Sequence, residues 1–582
     1  MRRLLCAVLL LASAHAQVYS PKVLAARQPD ASNLTRLAQS IYNRADANTP
    51  REKAEAIWRF YLTDGRFVEP GFWYHIAGWA YEEPTGEVLD PVKLLNSYGF
   101  GLCYHIAPLL AATWKAGGFR DARVWFLTGH TVAEVFYDGE YHYFDSDMMG
   151  YNKRPNGAVA SVRDIEANGS IITAKGTSQS NPWYPADVRE NAIDGLAELF
   201  TTTNDNWLYA HERAPQSHTM DFVLRPGERL IRFFEPERGN LSYLPYKQAN
   251  GTWAEFPQEI AQYAIRTEDG PHSQKDNRRW GTGRLEYRPA PSTTPVQIIY
   301  VSSPYVIIGA EFEFDAALTS AADSVTAETS TDNGRTWLPA GRLAGPHKGP
   351  WRAEPSALTR SEHGRRTTLS GRYGYQLRLS KTQGASLRSL LLTTLVQLNP
   401  RTLPALTPGH NDLTYTASAP QVRNELVIDP ADACKVAHTC ANARFVSDGS
   451  QGYWTPAASS PAEFIFKVSD ASGVHAGARI LNLAAGLAPD KFTAEVRKVP
   501  AIPATSAEAS IAWSTSPHGP YKTIWQYDPT LHWLDGKPEP RVLIWPEVDR
   551  DIPLTSATEV YLRYRVRDLA IDQFRIASTN AA

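Results

Sequence analysis

Four side chains in one short stretch have the types and spacing to do chemistry: Cys103, His130, Asp145 and Asp147. Cys103 follows Tyr98-Gly99-Phe100-Gly101-Leu102 and opens an apolar run, Tyr104 to Lys115, that Gly117-Gly118 closes. The pattern predicts a turn that delivers the thiol to the start of a helix. Unpaired N–H groups and the positive end of the helix dipole lower a thiol pKa there. Pro108 lies inside the run and removes one backbone bond, so a kinked or late-starting helix is expected. A buried, inert thiol is the alternative, because free Cys also packs as a small hydrophobe.

The imidazole and carboxylates belong to the elements that follow. Ala122 to Thr128 reads as a strand, His130 to Tyr137 as a second, and Glu140 to Phe144 as a third. Asp138-Gly139 between the last two is the pair favoured in a two-residue type I′ hairpin turn. With Tyr137 facing Glu140, the register carried outward puts Asp147 opposite His130 and Asp145 opposite Val132. Both carboxylates then share the His130 face, within about 4.5 to 8 Å at Cβ, while His142 points the other way. A thiolate needs an imidazole to take its proton, and the imidazole needs a carboxylate to fix its tautomer.

The segment resembles the transglutaminase-like superfamily of cysteine enzymes, in four blocks that cover about a quarter of the chain. Gly101-Leu102-Cys103 looks like the family's Gly-x-Cys, and Ala116 to Val124 its Gly-hydrophobic-x-Ala-Arg approach. Gly129-His130-Thr131-Val132-Ala133-Glu134-Val135 resembles its Gly-His-Ala-Trp-x-Glu-Val strand, and Tyr143-Phe144-Asp145 its Trp-x-x-Asp ending. The helical pair Leu34 to Asn43 and Glu52 to Leu62, opened by Pro50, fits the region usual upstream. The resemblance implies a papain-like triad: Cys103 nucleophile, His130 acid/base, Asp145 orienting carboxylate. Asp147 remains a rival by register. Thr131-Val132 and Ser146-Asp147 depart from the family pattern and leave the substrate open. The Cys103 backbone N–H is the first oxyanion donor to consider, with Asn96 and Tyr98 as side-chain candidates.

Cysteine usage points to an exported protein. Met1-Arg2-Arg3, the short apolar run Leu4 to Ala12 and Ala14-His15-Ala16 make a secretory leader cleaved near Ala16, and no later stretch is long and apolar enough to span a membrane. A secreted or periplasmic location follows. Of the cysteines beyond the leader, Cys434 and Cys440 are expected to pair across five intervening residues, leaving Cys103 free. A zinc site at Cys434, His438 and Cys440 lacks a fourth ligand.

Over 582 residues, 59 Lys plus Arg nearly cancel 61 Asp plus Glu, so no chain-wide field draws in nucleic acid. The 16 Trp, 27 Tyr and 20 Phe, with 41 Pro and 38 Gly, suit many short strands. The expected class is α+β: a leader at 1–16, a transglutaminase-like, papain-like catalytic domain at 17–185, a β-rich extension at 186–285, and β-sandwiches at 286–400 and 401–582. Ser330 to Trp337 matches an Asp-box hairpin, with a weaker echo at Ser514 to Tyr521, which hints that the two sandwiches are related.

The function expected is amide cleavage through a Cys103 thioester, with hydrolysis preferred over transfer and no cofactor or metal. Its substrate would be a peptide, a peptidoglycan stem or a glycan-linked amide. A non-catalytic protein- or polysaccharide-binding role is the alternative. A polysaccharide-degrading enzyme built on Glu268, His272 and Asp276 is the third.

Overall fold

A computed structural model describes residues 17–581, apart from 62–73, 76–80, 83–85, 148–149, 175–195, 204–205, 210–217, 234–244, 248–252, 256–280, 332–333, 354–368, 419–420, 448–451, 482–506, 529–532, 535–536, 539–541, 544–546 and single positions at 27, 89, 102, 370, 405 and 429. The leader and the Glu268, His272 and Asp276 group lie outside the described residues.

Among the described residues, three helices of eleven or more residues precede the hairpin strands. α1 (Leu34–Ala45) starts where Asn33 Oδ1 accepts the Thr35 N–H at 2.8 Å, and it buries Leu34, Leu37, Ala38 and Ile41 on one face. α2 (Pro50–Phe60) has Pro at its first position and a reciprocal cap between Thr49 and Glu52. α3 (Cys103–Ala116) runs unbroken through Pro108 and buries Leu109, Leu110 and Trp114 completely. Gly117 ends it where only glycine fits, because a Cβ there would sit 2.2 Å from the Tyr42 hydroxyl oxygen of α1.

Three antiparallel strands follow: β1 (Ala122–Leu127), β2 (His130–Tyr137) and β3 (Glu140–Phe144). The β2–β3 pairing is the one read from the sequence, from Tyr137 opposite Glu140 to Ala133 opposite Phe144. Asp138 and Gly139 both take positive φ, 51° and 89°, as a type I′ turn requires. α3 packs against β1 and β2, and every residue of β1 is buried.

The α+β, papain-like class is overturned by the architecture of the described residues, which is mostly β: 52% strand and 19% helix in several sheets. Residues 17–185 do not close off as a unit with a sheet of their own. β4 (Trp207–Tyr209) continues the sheet beyond β1, and Val542–Leu543 adds a parallel strand beside β4, giving the order Val542–Leu543, β4, β1, β2, β3. Val18–Ala25 pairs with Val223–Leu224 and with Leu413–Ser418. The helices foreseen near the N-terminus exist, but strands from distant segments complete their surroundings and dominate the chain.

Two large sheets make up most of the remainder, and they share one topology. In the first, Ala385–Leu398, Val296–Leu318, Arg372–Lys381, Ser324–Ser330 and Leu338–Ala344 lie side by side in that order. In the second the order is Ala570–Ala581, Ala462–Leu481, Glu547–Arg567, Glu508–Ser514 and Lys522–Gln526. Numbered along the chain, both read fifth, first, fourth, second, third. Each Asp-box-like segment is the turn of the edge hairpin, and Ser330 Oγ accepts the Gly334 N–H at 2.8 Å. Period-two burial of Ala310, Phe312, Phe314, Ala316 and Leu318, and of Val560, Leu562, Tyr564 and Val566, builds the two interiors. Glu228–Arg232 and Gly281–Tyr287, expected in a separate extension, extend the first sheet instead.

Candidate functional site

α3 and the β2–β3 hairpin meet where the chemistry-bearing residues lie. Cys103 opens α3, is unpaired and is partly exposed. His130 is the first residue of β2, behind the turn that Gly129 makes at φ 72°. Asp145 directly follows β3. The His130 Nε2 is 2.6 Å from Asp145 Oδ2, and both side chains are buried. Nδ1 is left for the other side of the ring, where Asp147 Oδ2 lies 3.8 Å away. Cys103 Sγ, a His130 ring nitrogen and an Asp147 carboxylate oxygen all lie within 4.8 Å of one another.

Of the two carboxylates, Asp145 hydrogen-bonds the imidazole, although the extrapolated register put Asp147 directly across from it. The ladder ends at Ala133–Phe144, and the chain then turns so that Asp145 pairs with Gly150 through two 3.0 Å backbone bonds. Asp145 Oδ1 accepts the Asp147 N–H at 2.8 Å, which leaves Oδ2 aimed at the ring. Trp58 of α2 donates its Nε1–H to the Asp145 carbonyl at 2.7 Å and packs edge-on to Tyr151. The carboxylate is thus fixed by its own turn, and the Asp145 backbone by a ring from another element.

Charge favours a protonated imidazole. Burial pulls the His130 pKa down, but Asp145 and Cys103, through their charges and their hydrogen bonds to the ring, hold it well above the ordinary 6.5. His105, two residues into α3 from the thiol, is pushed by burial to about 3 and stays neutral at physiological pH. His142 faces away, as its parity predicts, with Nδ1 2.7 Å from the Val159 carbonyl.

The side-chain oxyanion candidates have other surroundings. Asn96 spends both Nδ2 protons on the carbonyls of Ala31 (2.8 Å) and Val92 (3.0 Å), leaving no proton for a substrate oxygen. Tyr98 is fully buried in the core. The start of α3, including the Cys103 N–H, remains the donor next to the sulfur. Cys434 and Cys440 form the expected disulfide, which excludes zinc there.

Several supporting residues were invisible to local sequence reading. Leu94–Tyr98, the π-helical turn just before the thiol segment, is held from the end of the first large sheet: Asn399 donates its backbone N–H to the Asn96 carbonyl (2.7 Å) and Nδ2 to the Leu95 carbonyl (2.9 Å). Gln397 Nε2 donates to the Ser97 carbonyl at 3.1 Å, and Ser97 Oγ accepts the Val306 N–H at 3.1 Å. On the His130 face of β2, fully buried Glu134 accepts from Arg123 Nε, Trp125 Nε1 and the Val162 N–H at 2.6, 2.7 and 2.6 Å. Glu134 and Arg123 were visible as motif residues; the bonds that join Glu134 to Arg123, Trp125 and Val162 were not.

Among the described residues, no helix is long and apolar enough to cross a membrane. No protein-family profile matches the chain, and no characterised protein matches it in sequence. Among solved structures it is similar to the tandem CBM22 domains of Xyn10C from Paenibacillus barcinonensis, at 11% identity and a TM-score of 0.18 over 51% of this chain and 87% of that one. It is also similar to PNGase F, a glycosylasparaginase from Flavobacterium meningosepticum, at 7% identity and a TM-score of 0.16 over 51% and 96%. Allantoicase from Saccharomyces cerevisiae matches at 12% identity and a TM-score of 0.14 over 60% and 90%. None of the three is a transglutaminase-like enzyme, and likenesses this weak carry no functional argument.

Proposed function

We propose that the protein is a cysteine enzyme that cleaves an amide through a thioester on Cys103, as its motif resemblance to transglutaminase-like enzymes implies. One observation carries the reading: a buried imidazole held by Asp145 on Nε2, with the only free cysteine among the described residues within 4.8 Å of the ring. His130 takes the thiol proton, and the thiolate adds to the substrate carbonyl carbon. N–H groups at the start of α3 receive the developing oxyanion. The intermediate collapses as His130 returns the proton to the leaving nitrogen, and an amine departs. Water then adds to the thioester, giving its proton to His130, and collapse releases a carboxylic acid and the thiol. Asp145 keeps the ring in the tautomer and orientation both halves need.

Hydrolysis is preferred to transfer because water is abundant and no amine-binding group is identified beside the sulfur among the described residues. The substrate class is a peptide, a peptidoglycan stem or a glycan-linked amide, on which an exported enzyme would act. Intact-mass analysis of the protein quenched during turnover of a panel of such amides tests the reading. An acyl adduct on the Cys103 peptide, and a loss of at least about a thousandfold in rate in Cys103→Ala, are expected. Amine release that persists in Cys103→Ala would overturn it.

A further inference from the structure

The thiol chemistry needs one carboxylate on His130, and Asp145 supplies it. Asp147 lies on the opposite side of the ring, 3.8 Å from Nδ1 and in the same cluster as the sulfur. An anionic carboxylate there opposes formation of the Cys103 thiolate by like-charge repulsion, so proton transfer alone does not account for its position. A cation does.

We propose that Cys103, His130 and Asp147 form a zinc site that silences the thiol. One thiolate, one imidazole and one carboxylate form a zinc donor set that leaves the fourth tetrahedral position open. At Zn–N and Zn–O distances of about 2.0 Å and Zn–S of about 2.3 Å, tetrahedral ligand atoms stand roughly 3.3 to 3.6 Å apart. The Nδ1–Oδ2 distance of 3.8 Å is close to that value, and the 4.8 Å limit on the three atoms leaves about an ångström of closure. Asp145, at 2.6 Å from Nε2, is the second carboxylate a zinc-bound histidine uses to fix its ring. The two aspartates therefore divide the work: Asp145 orients His130 and Asp147 admits the ion.

Binding replaces one proton. Zn²⁺ takes the sulfur lone pair and the Nδ1 lone pair, and the proton that Cys103 and His130 share leaves to solvent. No electron transfer is involved. The bound thiolate no longer attacks a carbonyl and the ring no longer accepts a proton, so the ion is an off-switch. That regulatory consequence rests on the thioester reading above, whereas zinc binding itself does not.

The test is direct metal binding to the full chain, with a chromophoric chelator competing for Zn²⁺ and Co²⁺ as a spectroscopic probe. One equivalent should bind, and Co²⁺ should give a thiolate-to-metal charge-transfer band that Cys103→Ser lacks. Affinity should fall about 10- to 100-fold in Asp145→Asn, through loss of ring support, and at least as far in Asp147→Asn. Saturating Zn²⁺ should protect Cys103 from alkylation. Absence of stoichiometric binding, or affinity unchanged in both Cys103→Ser and Asp147→Asn, would overturn the site. Tight binding with no amide cleaved would leave the site standing and count against the thioester function alone.

Discussion

His130 Nε2 and Asp145 Oδ2 lie 2.6 Å apart in a buried pair, and the same ring lies within 4.8 Å of Cys103 Sγ. The pair fixes which proton moves. It also makes the imidazole more basic than an exposed one, since the Asp145 and Cys103 charges outweigh the burial that opposes them.

Removing the carboxylate charge should therefore be visible on the ring. In Asp145→Asn the His130 pKa should fall, because burial remains and one of the two raising charges has gone; Cys103→Ser should lower it for the same reason. NMR titration of the His130 ring protons checks both. For stability the sign runs with the raised pKa. The pair's contribution is fully present below the unfolded value of about 6.5 and is lost as pH rises through the higher folded value. The gap in unfolding free energy between wild type and Asp145→Asn should narrow on raising pH above about 6.5, as urea unfolding at several pH values will read.

Trp58 tethers the Asp145 backbone carbonyl from α2 through its indole N–H. Trp58→Phe keeps a ring beside Phe144 and Tyr151 and leaves the Asp145 carbonyl short of a buried donor. It should cost about 1 to 3 kcal/mol, measured by chemical denaturation, and reduce Cys103 reactivity far less than Asp145→Asn does.

Asn399 ties the first large sheet to the turn that leads into the thiol segment. Asn399→Ala removes the bond to the Leu95 carbonyl and should cost about 1 to 3 kcal/mol. Because Asn399 touches the turn and not the site, the pH at which Cys103 alkylates should stay within experimental error of wild type. A shift of that pH would mean that the sheet tunes the thiol electrostatically.

The Cys434–Cys440 bridge closes a very short loop in the second large sheet, remote in sequence from the thiol. A loop of this size yields about 2 kcal/mol in the chain-entropy account. The double substitution to Ser should lower the melting temperature by a few degrees and leave Cys103 alkylation unchanged.

Local chemistry explains what was legible in the sequence. Asp138-Gly139 set the hairpin, the hairpin set the register, and Pro50 and Gly117-Gly118 marked helix ends. The reading failed where long-range pairing decides. β3 stops at Phe144, so Asp145 and not the register partner Asp147 hydrogen-bonds His130. No periodicity announces that Val542–Leu543 would join the sheet beside β4, or that Asn399 would brace Asn96. The class was misjudged for the same reason: α1, α2 and α3 are strong local signals, whereas the sheets that outweigh them are assembled from strands far apart in the chain.

The central claim is that Cys103 and His130 form one proton-sharing couple. The most direct measurement is the pH dependence of Cys103 alkylation, read on its own peptide by mass spectrometry, in wild type and His130→Ala. The account predicts half-maximal reactivity at about pH 5 to 6 in wild type and above about pH 8 in the variant. Identical profiles in the two proteins, or a thiol that does not react below about pH 8 in either, would contradict it.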